Sequence, residues 1–176
     1  NGAVTFNLAG NTYTLASPSV LSTIGEGAGL TASLTINNGT LVTNAARIAT
    51  ANGGSGTVTV GAGGTWNLSG QSANIGAHGN GTLNIQGGGD VVSGQGEIGT
   101  SDDATGSATV SGAGSTWSNS GEIFVGKAGV GSLGVSSGGV VNSNVVSLGS
   151  AATGNGTATV SGTGSQLNAT GALDVG

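Results

Sequence analysis

The stretch GSATVSGAGSTW, residues 106–117, decides the fold because the chain writes it three times. About fifty residues earlier stands GTVTVGAGGTW, ending at Trp66, and about fifty later GTATVSGTGSQL, ending at Leu167. Both tryptophans of the chain fall in this motif. Aligned on the small residue that opens each apolar pair, related segments appear between these copies. They are SLTI (33–36), TVTV (57–60), TLNI (82–85), SATV (107–110), SLGV (132–135) and TATV (157–160). Their last residues, Ile36, Val60, Ile85, Val110, Val135 and Val160, are spaced 24 once and then 25 four times. A period that steady makes each copy one structural unit.

Two more columns accompany the first. One is Leu41, Trp66, Val91, Trp117, Val141 and Leu167. The other is an apolar residue usually followed by glycine: Ile24, Ile48, Ile75, Ile98, Val125, Leu148 and Val175. Spacings in this last column alternate between roughly 23 and 27, so the full period is a pair of units. Three short strands in about 25 residues predict a parallel β-helix solenoid with three faces, its coils stacked at about 4.8 Å. In TVTV, Val58 and Val60 point inward while Thr57 and Thr59 point outward. Gly and Asn in GAGG (61–64) and NNG (37–39) suit corners that need positive φ. No segment keeps a 3.6-residue apolar period, which argues against helices. A β-sandwich, the rival, has no need of a constant period.

The reading is all-β: one domain over 1–176, about seven coils, the last incomplete, and a rod on the order of 30–35 Å long. Residues 1–28 form a divergent first coil, with an irregular connection in ASPSVLST around Pro18, and 29–176 form the repeats. The array is expected to be a mature fragment of a longer one, since solenoids need capped ends and LDVG stops in mid-register.

Composition narrows the function. Of 176 residues, 39 are Gly, two are basic (Arg47 and Lys127) and seven are acidic, a net charge of −5. No basic stripe tracks a phosphate backbone, which argues against nucleic acid as a partner. No apolar run is long enough for a membrane helix. The absence of Cys excludes disulfide staples and fits a secreted chain that crosses a cell envelope unfolded.

The succession GSATVSGAGSTW, SGEIFVG (120–126) and GSLGVSSGGVV (131–141) resembles the repeats of bacterial type V autotransporter passenger domains. Weaker copies of it cover nearly all of 29–176. The resemblance implies a right-handed parallel β-helix, secreted and displayed on the bacterial cell surface. It also implies outer-membrane anchoring through a separate translocator barrel, and a role in adhesion or cell–cell aggregation.

No catalytic, cofactor or metal set is expected. Asp90, Glu97, Asp102 and Asp103 read as solvated turn residues, against the alternative of a small acidic patch serving a glycosidase or lyase. GGGD (87–90) reads as a turn, not a calcium repeat, and Asp102-Asp103 as a weak cation site at most. His78, in GAHGN, lacks a second histidine and reads as a surface residue. Trp66 and Trp117 are either core residues, as exchange with Leu167 in their column suggests, or exposed platforms for sugar rings. N-x-S/T triplets at Asn67, Asn80 and Asn155 mostly coincide with turns.

One outward pattern stands out. Ser33, Thr57, Thr82, Ser107, Ser132 and Thr157 form one ladder, and Thr35, Thr59, Asn84, Thr109, Gly134 and Thr159 the next. Such ladders can be plain sheet chemistry. They also make Thr57, Thr59, Thr82, Ser107, Thr109, Thr157 and Thr159 the candidate interaction residues. The expected function is a non-enzymatic surface rod whose partners are identical rods or host and surface glycans. A polysaccharide-acting enzyme, an ice-binding solenoid and a passive spacer are the alternatives.

Overall fold

The computed structural model describes residues 1–15 and 21–176; the connection expected around Pro18 lies, from 16 to 20, outside the described residues. Every described element is a strand, and all strand pairs are parallel. Seven strands make the first face: Gly2–Asn7, Thr31–Asn37, Ser55–Val60, Asn80–Gln86, Thr105–Ser111, Val130–Ser136 and Asn155–Ser161. Each opens one coil, numbered one to seven, so six turns of chain separate the first strand from the last. The molecule is a parallel β-solenoid with a repeat of about 25 residues.

In coils 1 to 5 the second and third faces are separate strands, such as Gly64–Asn67 and Ser72–Ile75 in coil 3. Coils 6 and 7 depart from the expected three strands. There Val140–Leu148 and Gln166–Val175 run through both faces and pair with each other around the corner. A bulge between Ser143 and Val145 makes the turn, and the Ser143 hydroxyl spans it with a hydrogen bond to the Val145 carbonyl at 2.7 Å.

The columns read from the sequence are the columns of the core. Ile36, Val60, Ile85, Val110, Val135 and Val160 are register neighbours in turn, and Phe6 extends the row into coil 1. The second column keeps the order Leu41, Trp66, Val91, Trp117, Val141, Leu167. Away from the two ends these side chains are fully buried. Each large aliphatic one contributes about 1.5–3 kcal/mol from leaving water. Phe6 packs on Tyr13 with ring centroids 5.2 Å apart at the end of the rod, where Tyr13 and Val4 stay about half exposed.

Both tryptophans are core residues, with no exposed surface. Each indole N–H reaches back one coil to a hydroxyl: Trp66 Nε1 donates to Thr43 Oγ1 at 3.0 Å, and Trp117 Nε1 to Ser93 Oγ at 2.9 Å. Space for Trp117 comes from the third face, where a Cβ on Gly96 would stand 2.7 Å from the indole. Coils that carry Trp also have a longer corner. Trp66 to Ile75 and Trp117 to Val125 span nine and eight residues, against seven from Val91 to Ile98.

From coil 2 onward the turn from third to first face alternates as well. Ile48 to Val60 and Ile98 to Val110 are twelve residues apart, Ile75 to Ile85 and Val125 to Val135 ten. The long turns reach over the short ones and bond to each other. Asn52 Nδ2 donates to Asp103 Oδ2 at 2.9 Å, and Thr153 Oγ1 to Asp102 Oδ1 at 3.1 Å, each across two coils. This contact gives the fifty-residue period a structural counterpart.

Candidate interaction face

The first face presents its even and odd residues to core and solvent in strict alternation. The outward ranks fall in the expected register: Ser33, Thr57, Thr82, Ser107, Ser132, Thr157, and Thr35, Thr59, Asn84, Thr109, Gly134, Thr159. Thr57, Thr59, Thr82, Ser107 and Thr109 are half-buried between neighbours above and below, while Thr157 and Thr159 are exposed. Part of the ladder satisfies itself. Thr109 Oγ1 donates to Asn84 Oδ1 at 2.9 Å and Ser132 Oγ to Ser107 Oγ at 3.2 Å. No hydrogen bond within the described residues uses the hydroxyls of Thr57, Thr59 and Thr82, which leaves them for solvent or a partner.

The electrostatics separate this face from the rest. None of its seven strands contains Asp, Glu, Lys, Arg or His. Asp90 stands on the second face, and Arg47, Glu97, Glu122 and Asp174 on the third. Glu26, His78, Asp102, Asp103 and Lys127 lie in the turns that lead from the third face to the first. The charge of −5 is therefore carried by two faces and one edge.

The acidic residues do not assemble into a patch. Asp90 accepts a hydrogen bond from the Thr116 hydroxyl on the second face. Glu97 projects from the third face and is nearly buried, at 7% exposure. Its Oε1 accepts from Lys127 Nζ at 2.7 Å and its Oε2 from Asn74 Nδ2 at 2.8 Å. Lys127 also lies over the Phe124 ring, 5.1 Å from the centroid. Asp103 faces His78, Nδ1 to Oδ1 3.7 Å, on the exposed edge. Among the described residues no three of His, Asp and Glu converge as metal ligands. GGGD forms the corner between the first and second faces, with Gly87 and Gly88 at φ 60° and 85°.

Glu97 makes a direct test of this wiring. Removing the ammonium in Lys127→Ala leaves a carboxylate in a poorly solvated site with one amide donor. We expect a loss of about 1–3 kcal/mol in urea unfolding, less than for a deeply buried pair because Lys127 is partly solvated. Glu97→Gln in the same background should restore most of it.

Several polar residues with defined roles were not singled out by the sequence. Ser115 is fully buried; its Oγ donates to the Ser111 carbonyl at 2.7 Å and accepts from the Gly88 amide of the preceding coil at 3.0 Å. Ser165 repeats this with Ser161 and Gly138. The signal was present in the quoted motif, as a serine four residues after a serine, recurring after fifty. Inside the corner between second and third faces runs a second buried set. Ser93 Oγ donates to Asn119 Oδ1 at 2.8 Å, and Asn119 Nδ2 to Ser143 Oγ at 3.4 Å.

No family model matches the chain, and no curated protein or solved structure matches it. The fold assignment rests on strand register and repeat alone.

Proposed function

We propose that the chain is a surface-exposed passenger segment of a bacterial autotransporter, acting without catalysis in adhesion or cell–cell self-association. The resemblance of its repeats supports the class. The observation that carries the mode of action is the uncharged first face on a chain of net charge −5. Two copies that meet through this face bring no like charges together. The second face carries one carboxylate, Asp90, and the third face and the edge carry the other six against two cations, so contact there brings a net excess of like charge together.

Seven strands at about 4.8 Å give a face about 29 Å long. A single such contact is at the small end of stable interfaces. Many of them along parallel arrays on two cells add through multivalency. Displayed at the cell surface through a separate translocator barrel, the rod presents the hydroxyls of Thr57, Thr59 and Thr82 to its partner.

The test places charge in the middle of the face. Beads coated with the chain should clump, and beads coated with a Thr82→Glu, Thr109→Glu variant should stay dispersed at the same salt. Equal clumping by the variant, or none by the parent chain, would overturn the reading.

A further inference from the structure

We propose that the buried hydrogen bonds of Ser93, Asn119 and Trp117 are a register device, which prevents coil 5 from stacking on coil 3 with coil 4 looped out. Chains built from near-identical units carry this hazard, because misassembly between units is a characteristic failure of repeat proteins. The entropic cost of leaving out a loop rises only slowly with its length. The aliphatic columns of the first face offer little resistance. In a skipped arrangement Val60 meets Val110 in place of Ile85, and Val58 meets Ala108 in place of Leu83. The outward ladder resists as little, since Thr57 and Thr59 meet Ser107 and Thr109. The second column adds a steric resistance, since Trp117 would fall on Trp66 in place of Val91 and beside Ala73 in place of Gly96.

The corner column behaves differently. Asn67 pairs with Val92, so the next residues, Leu68 and Ser93, take the same place in coils 3 and 4. Ser93 is register partner of Asn119 in coil 5. Leu68 and Ser93 are both buried, but only Ser93 is a hydrogen-bonding group. In the native order it accepts from Trp117 Nε1 at 2.9 Å and donates to Asn119 Oδ1 at 2.8 Å. With coil 5 on coil 3, both of those groups face the Leu68 side chain and are left without partners inside the core. Unsatisfied buried polar groups carry their full desolvation penalty, so the two together disfavour the skip on the order of ten-fold or more. A buried polar residue that fixes register is the best-attested use of such groups, as in coiled coils.

The absence of Cys lets engineered disulfides report the register without competition. Outward residues on adjacent coils have Cα atoms about 4.8 Å apart, within disulfide reach. Two coils apart they are about 9.6 Å apart, beyond it. One chain carries Thr82→Cys and Ser107→Cys, reporting coil 4 on coil 5. A second carries Thr57→Cys and Ser107→Cys, reporting coil 3 on coil 5. Both are refolded from denaturant under oxidising conditions, and the disulfides are quantified by mass spectrometry.

The 82–107 disulfide should form readily and the 57–107 disulfide should be scarce. Adding Leu68→Ser, which gives coil 3 the hydroxyl of coil 4, should raise the 57–107 product on the order of ten-fold. Asn119→Leu removes one of the two unpaired groups without touching coil 3, and should raise it by a smaller factor. A 57–107 yield unchanged in both variants, with 82–107 still forming, would overturn the proposal.

Discussion

Trp117→Ala should lower the free energy of unfolding by about 3–5 kcal/mol, the range for removing a fully buried indole. Three features place it at the upper end. The ring has no exposed surface and lies between Val91 and Val141 in its column. The third face is already hollowed to receive it, because Gly96 has no side chain that could close the cavity. The Ser93 hydroxyl also loses a buried donor at 2.9 Å. Trp117→Phe keeps most of the apolar volume and should cost less, about 1–2 kcal/mol, mainly through the orphaned hydroxyl. Urea unfolding followed by Trp66 fluorescence reads both variants. A loss below about 1 kcal/mol for Trp117→Ala would mean that the indole does not fill the core as described.

Gly106→Ala should cost about 3 kcal/mol, although it adds a single methyl group. Gly106 is the first letter of the motif, paired with Gly81 below and Gly131 above. A Cβ there would lie 2.2 Å from the Ile75 carbonyl oxygen and 2.4 Å from the Gly99 nitrogen. Both are backbone atoms of the ladder and cannot swing aside, so coils must separate to make room. Gly134 is the contrasting case in the same sheet. It stands in the outward ladder, where a Cβ would meet only the Thr109 methyl at 3.8 Å. Gly134→Thr should be neutral or stabilising by about 0.5–1 kcal/mol, through strand propensity and a less flexible unfolded chain. Equal effects at the two positions would contradict the placement of the first face.

The periodicity made the architecture legible because a parallel solenoid maps sequence spacing directly onto register. Val110 sits on Ile85 for the same reason that the two are 25 residues apart. Trp66 and Trp117 were readable as core residues once Leu167 appeared in their column. The polar interior was harder to read. Ser93 and Asn119 follow the inward Val91 and Trp117 by two residues, so alternation already points them into the core, and only their polar chemistry made them read as solvent-facing. Asp90 and Glu97 share a coil and looked neighbourly, but a corner lies between them, so their carboxylates leave from different faces. Glu97 and Lys127 are thirty residues apart and meet because a coil plus part of a turn separates them. The outward Ser/Thr ladders were visible in full. That they belong to the only uncharged face among the described strands required the position of every acid on the other two.

Sedimentation velocity over a wide concentration range, at two salt levels, tests the uncharged face most directly. Association through Thr57, Thr59, Thr82 and their neighbours should grow with concentration and persist at the higher salt, because no charge pair holds it and screening only relieves residual repulsion between carboxylates. A single elongated monomer at every concentration, or an association that moderate salt dissolves, would contradict it.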